Sequence, residues 1–209
     1  LKCHYPKQYM AALMTSVLDS ATKISSYIAE CKEMGIPVLP PDVNHSDDHF
    51  TVEGDAIRFG LGAVKNVGRG LIRSMVAKRE EGGPFRSLED FLQRMGDELN
   101  KRAVECLIKA GAFDSLGAKR SQLLEIYAAV MDSIAVERRS NLEGQFDLFG
   151  SVEDSKYKEI PLPKKDEFSS RELMAMEKEV TGLYLSGHPM DDYRALSAKL
   201  GAAPIGAIM

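Results

Sequence analysis

Twice in this chain a stretch with helical periodicity stops at a short glycine-bounded turn and then resumes. The first turn is Val67-Gly68-Arg69-Gly70, between a short helical segment that begins near Gly60 and a helix from Leu71 to about Glu80. The second is Gly111-Ala112-Phe113-Asp114-Ser115-Leu116-Gly117, between a helix over Lys101–Ala110 and a longer one over about Lys119–Arg139. Apolar residues spaced by one, three and four, such as Leu71, Ile72, Met75 and Val76, argue for helices with one buried face. Helices joined by turns this short pack side by side. The pattern therefore restricts this part of the chain to a small helical module.

The flanks fill in around it. Lys7–Leu18 reads as a helix after Pro6, with Met10, Leu13, Met14 and Val17 on one face. Ala21–Met34 reads as a second helix that Gly35 closes. Ile36-Pro37-Val38-Leu39-Pro40-Pro41 is extended, because its prolines exclude helix. Phe50-Thr51-Val52 and Ile57-Arg58-Phe59 alternate around Glu53-Gly54-Asp55 as a small β-hairpin. Ser87-Leu88-Glu89-Asp90 resembles a capping box that opens a helix through Met95, and Ser169-Ser170-Arg171-Glu172 opens another through about Leu183. Gly187-His188-Pro189 breaks that helix, and a last amphipathic one is expected to about Leu200. The fold class is mainly α: a tandem helix-hairpin-helix module with a small β-hairpin and a preceding helical segment. The divisions are 1–49, 50–140 for the hairpin and tandem module, 141–168 for a linker, and 169–209 for a helical connection.

Apolar-Gly-x-Gly between two helices is the pattern of a helix-hairpin-helix DNA-binding motif. Glycines permit positive φ and close backbone approach. The amides at the start of the next helix then face outward with partial positive charge, where a phosphate oxygen can be held without reading bases. The local charge agrees. From Ala56 through Arg79 the chain carries Arg58, Lys65, Arg69, Arg73, Lys78 and Arg79 and no acid. This basic island stands in a chain of net charge −4, which has no overall basic signature. Expected phosphate contacts are Arg58, Lys65, Val67, Gly68, Arg69, Gly70 and Arg73. A second, weaker set is Gly111, Lys119 and Arg120, where Phe113-Asp114-Ser115 departs from the simple motif and Asp114 repels phosphate unless it caps the next helix. The plainer alternative is a glycine turn joining two packed helices with a solvated charged face.

A different signal lies at Gln145-Phe146-Asp147-Leu148-Phe149, where three large apolar side chains sit between Gly144 and Gly150 with no room for a helix. Apolar residues that build no element are candidates for insertion into a partner's pocket. The alternative is a plug that folds back on its own domain. Three isolated cysteines, Cys3, Cys31 and Cys106, argue against a disulfide framework and suit a reducing cytosol. No Cys or His pair has zinc spacing; His45 and His49 are four apart without cysteines nearby. No apolar run reaches membrane-spanning length. Leu1-Lys2-Cys3-His4 lacks the character of a native start, so the chain is expected to be a piece of something larger.

Taken in order, several segments resemble the alpha subunits of bacterial replicative DNA polymerase III. They are His4-Tyr5-Pro6 with Met10-Ala11-Ala12-Leu13, Gly35 through Asn44, Ile57 through Gly68, Lys109-Ala110-Gly111-Ala112-Phe113-Asp114, and Glu177-Lys178-Glu179 followed by Gly182 through Pro189. The resemblance implies that 1–49 is the end of a fingers region and that 169–209 leads toward an OB-fold domain. It implies that Gln145, Phe146, Asp147, Leu148 and Phe149 bind the bacterial sliding clamp, with duplex DNA and other replisome subunits as further partners. It also implies a DNA-directed DNA polymerase as the parent, with magnesium on palm carboxylates and a cytoplasmic, nucleoid-associated location. No Asp-x-Asp occurs here, and Asp47-Asp48 and Asp191-Asp192 are adjacent pairs suited to surface or capping roles. The segment is therefore expected to be inactive alone, with no catalytic residue, metal or cofactor of its own. A free-standing helix-hairpin-helix repair protein and a helical interaction adaptor without a DNA role are the other classes open to it.

Overall fold

The computed structural model describes residues 2–144, 160–187 and 189, with backbone alone for 141–144. Helix α1 (Pro6–Thr15) starts with proline at its first position, where a missing N–H costs nothing. Helix α2 (Ala21–Glu33) is opened by the Ser20 side chain, which accepts from Lys23 N. The two pack through Met10, Met14, Ile24 and Cys31, all essentially inaccessible to solvent.

The expected two-stranded hairpin is one part of a three-stranded sheet. Strands β1 (Val38–Leu39), β2 (Thr51–Glu53) and β3 (Ala56–Arg58) lie in the order β1-β3-β2. β2 and β3 pair antiparallel with Val52 opposite Ile57, and β1 joins β3 in parallel with Val38 opposite Ile57. The proline-rich stretch is extended as expected, and its carbonyls are used: Ile57 N donates to Pro37 O and Phe59 N to Leu39 O. Proline lacks a donor but remains an acceptor. The sheet thus crosses the division at 49/50.

After β3 the chain makes one 3₁₀ turn (Leu61–Ala63) rather than an α-helix. This turn lies directly on residues 47–49, with Leu61 N donating to Asp47 O and Gly62 N to Asp48 O. A Cβ at Gly62 would stand 2.4 Å from Asp48 O, so the close approach requires glycine. Helix α3 (Arg69–Gly82) follows, starting two residues before the periodicity indicates. Helix α4 (Leu88–Met95) begins at Ser87, whose hydroxyl accepts from Asp90 N; Asp90 turns back to accept from Arg86 N. Helices α5 (Lys101–Lys109) and α6 (Arg120–Gly144) form the second pair. Phe85, Phe91 and Phe113 stack edge to face, with centroids 5.0 and 5.1 Å apart, and join α4 to the second hairpin.

Helix α7 (Ser170–Thr181) opens with a complete capping box between Ser169 and Glu172, as the sequence indicates. It is no free connection, because Met174, Glu177, Val180 and Thr181 are buried. One apolar cluster runs from Met10 to Val180 and Leu183. The described part of the expected linker also runs against α6. Gln122 Nε2 donates to Pro163 O, Ser121 Oγ to Asp166 O, and the Glu167 carboxylate accepts from Arg120 N and Ser121 N at 2.8 and 3.0 Å. Glu167 therefore caps α6 from outside the helix. Burial opposes its charge, but backbone donors from Phe168, Ser121 and Arg120 prevail and hold its carboxyl below the usual range. A depressed folded value means that its stabilisation is complete above the unfolded value and is lost as pH falls through the folded one. Glu167→Gln should accordingly flatten the acid limb of a stability–pH curve read by denaturant titration, and an unaltered limb would refute the capping role. The expected helix to Leu200 lies outside the described residues.

Candidate nucleic-acid interface

The bend before α3 has a different origin from the one its glycines suggest. Gly68 sits at φ −74° and ψ 148°, ordinary extended backbone, and Gly70 is inside α3. The left-handed residue is Asn66, at φ 62°. Asparagine is among the few residues that tolerate this region. Its side chain is fixed by donation to Cys106 Sγ on α5 at 3.3 Å. Val67 is buried and anchors the bend in the core.

What Gly68 and Gly70 provide is an open approach. Both are exposed, and a Cβ at either would meet nothing within 4 Å. Gly68 offers no side-chain cap, and the first helical bond is Ile72 N to Gly68 O. The amides of Arg69, Gly70 and Leu71 have no acceptor among the described residues. The first turn of α3 contains no acid. Arg69 and Arg73 are exposed, and neither forms a hydrogen bond or a close ion pair within the described residues. The helix buries its other side through Ile72 and Met75. Three free amides, the positive end of a fourteen-residue helix and two uncommitted guanidinium groups thus share one exposed surface.

The remaining island cations are used within the fold. Arg58 is buried and holds Glu53 through two bonds of 2.7 and 2.8 Å, with a third to Pro40 O. The expectation that Arg58 meets phosphate is corrected: the side chain is buried and its fork is committed to the Glu53 carboxylate. Lys78 donates to Arg94 O, and Arg79 to the carbonyls of Val43 and Ser46. Lys65 is exposed but tethered, its ammonium donating to Glu179 O at the end of α7.

The second hairpin is closed in the same way. Arg120 is buried, with Asp114 at 2.7 Å and Glu177 at 3.1 Å. Gly111 has φ 83°, and a Cβ there would meet Arg120 Nη2 at 2.3 Å. Gly111 is thus required by the turn and by the packed guanidinium. Arg120 and Gly111 leave the DNA-facing set. Asp114 is exposed, but its carboxylate is engaged by Arg120 and helps hold that guanidinium in place. Lys119 is exposed and donates to Lys165 O.

Near the first hairpin, Asp47, Asp48 and His49 bring one ligand atom each within 4.8 Å of one another. The His49 ring is hydrogen-bonded to Asp48, which lowers the Asp48 carboxyl; burial opposes this, and Arg69 and Arg73 add to the lowering. Magnesium prefers an octahedral shell of oxygens. An imidazole hydrogen-bonded to one of the two carboxylates is not the all-oxygen set that the magnesium pair of a nucleotidyl-transfer centre needs. The five residues from Gln145 to Phe149 lie outside the described residues.

A family model described as "Helix-hairpin-helix motif" matches residues 35–123, a span that holds the sheet and both hairpins. The chain is 44% identical over 205 residues to the DNA polymerase III subunit alpha of Saccharopolyspora erythraea, covering 95% of this chain and 17% of the relative. It is 42% identical to that of Mycobacterium tuberculosis, over 100% of this chain and 18% of the relative. This chain is a homologue of one segment of DNA polymerase III subunit alpha. The same subunit of Thermus aquaticus matches at 43% identity over 94% of the chain and 16% of its own length. The chain thus spans less than a fifth of the polymerase subunits it matches.

Sequence reasoning identified the first hairpin but missed Asn66, which shapes it, and Glu167 and Glu177, which hold the start of α6 at the second. Asn66 was legible in principle, since asparagine directly before an apolar-Gly pair is a left-handed candidate. Glu167 and Glu177 were not, because their partners lie about 46 and 57 residues away.

Proposed function

We propose that this chain is the duplex-holding and clamp-binding segment of a replicative DNA polymerase, with nucleotide transfer carried out by other parts of the whole protein. The observation that carries the DNA reading is the exposed start of α3, where unsatisfied amides at Gly70 and its neighbours stand beside uncommitted Arg69 and Arg73. Such a site grips phosphate oxygens, and nothing in it reads a base edge, so binding is independent of sequence. Gly68 and Gly70 let the sugar-phosphate backbone come within hydrogen-bond reach. The magnesium that nucleotidyl transfer uses belongs to carboxylates of the parent protein. The direct test is a gel-shift titration with random-sequence duplex. Binding with a steep salt dependence supports the reading, and no binding at low salt favours the adaptor class.

The clamp reading rests on Gln145-Phe146-Asp147-Leu148-Phe149, which follows the end of α6 at Gly144. Gln145 would donate and accept hydrogen bonds at the rim while Leu148 and Phe149 fill an apolar pocket of the ring. A peptide this short has few anchors and binds modestly alone. A second attachment through duplex DNA raises the effective concentration of the clamp. Leu148→Ala with Phe149→Ala should abolish co-purification with a bacterial sliding clamp and leave duplex binding unchanged. Retention of wild-type clamp affinity would overturn this assignment.

A further inference from the structure

Beside the first hairpin lies a cleft of about 580 Å³, lined by Lys65, Lys101, Arg102 and Lys109 together with Glu105 and Glu179. It is built by three parts of the chain that the sequence places far apart, the end of α7 contributing Glu179 and Val180. Lys65 and Asn66 form one wall, and the exposed edge of α5 forms the other. The Asn66–Cys106 contact sets their spacing. Arg102 stands one helical turn before Cys106, so it lies on the α5 face turned toward the hairpin.

The charges of this cleft are not equally available. Lys109 is bound by Glu105 and Glu179, both at 2.9 Å, so its cation is spent and that end of the cleft keeps an excess of negative charge, which leaves the Lys101–Arg102 end as the one open to an anion. Lys101 pairs with Asp132 at 2.7 Å, but both groups are exposed, and such pairs exchange readily for another anion. Arg102 is exposed and makes no hydrogen bond or ion pair among the described residues. The first turn of α5 contains no acid. Its Lys101 and Arg102 amides point away from the helix, since Asn100 takes Ala103 N and the first backbone bond is Val104 N to Asn100 O.

We propose that this cleft is a second phosphate site for the same duplex, with Arg102 as its principal contact and Lys101 as its support. This rests on the duplex reading of the first hairpin. It replaces the second hairpin as the other point of attachment, since Arg120 and Gly111 are enclosed. Two separate anion sites fix the orientation of the backbone as well as its position. A single site leaves the duplex free to pivot.

The test is fluorescence anisotropy of the full chain on a labelled random-sequence duplex across a range of salt. Lys101→Ala with Arg102→Ala should weaken binding about five- to tenfold and make the slope of log K against log salt shallower by roughly 0.9 for each phosphate no longer engaged. Arg69→Ala with Arg73→Ala is measured in parallel. If the hairpin pair weakens binding and the α5 pair leaves affinity and slope unchanged, the cleft proposal is overturned and the hairpin reading stands. If the α5 pair alone acts, the cleft stands and the hairpin reading fails. The α5 side chains are exposed, so an unchanged thermal melt is expected. Arg102→Lys, which retains charge without the planar fork, should restore most of the slope; failure to do so would count against a phosphate contact.

Discussion

Arg69→Glu combined with Arg73→Glu should weaken binding to random-sequence duplex by about a hundredfold at moderate salt, because two cations are lost and two repulsive charges are placed at the same phosphates. The slope of log K against log salt should fall in magnitude by at least roughly 1.8, the share of two released counterions. Neither guanidinium holds any part of the fold, so the variant should unfold at the wild-type denaturant midpoint. That separation is the strength of the experiment. A variant at Arg58 or Arg120 would also lose DNA binding if it unfolded, and its result would say nothing about contact. A salt slope unchanged in the double variant would remove the phosphate role of α3, and with it the reading of the exposed amides beside it.

Glu177→Ala should destabilise the protein by about 3–5 kcal/mol, measured by chemical denaturation at neutral pH. Glu177 is fully enclosed. One oxygen accepts from Arg120 at 3.1 Å, and the other from Leu185 N, Ser186 N and Ser186 Oγ at 2.8, 2.9 and 3.1 Å. Truncation leaves part of a buried guanidinium unanswered and releases the two amides that follow α7. Removing one partner of such a pair costs far more than the pair contributes over an apolar substitute. Glu177→Gln retains an acceptor for Leu185 and Ser186 but turns a neutral amide toward Arg120, and it should fall between the two. Amide exchange at Leu185 and Ser186 distinguishes local release from global loss. Equal stability of wild type and Glu177→Ala would show that Asp114 alone is sufficient to hold Arg120.

The relation of sequence to structure is clearest at individual residues. Pro6, Ser87 and Ser169 announce the starts of three helices because a first-position proline or a capping hydroxyl acts within three residues. The apolar faces of α3 and α5 follow from periodicity for the same reason. The third strand was not legible. Val38-Leu39 is too short for an alternating pattern, and its pairing with Ile57 and Arg58 depends on contacts about twenty residues away. Charge was the most misleading signal. A run of six cations without an acid reads as one surface, yet the structure leaves only Arg69 and Arg73 unengaged. Composition records charge, whereas availability depends on which carbonyls and carboxylates the fold brings alongside.

The sheet carries a consequence for concentrated solutions of this molecule rather than for one copy. β1 forms an outer rail of the sheet and is only two residues long, with Pro37 before it and Pro40 and Pro41 after it. A neighbouring chain that sought to add itself in cross-β fashion would find only Val38 able to donate, because the backbone groups of Pro37 and Leu39 face β3 and imino rings flank the strand. Crowded at high concentration, the protein is thereby guarded against edge-to-edge polymerisation at that rail. Replacing Pro37 and Pro40 by β-branched residues would remove the guard without touching the duplex-facing surface.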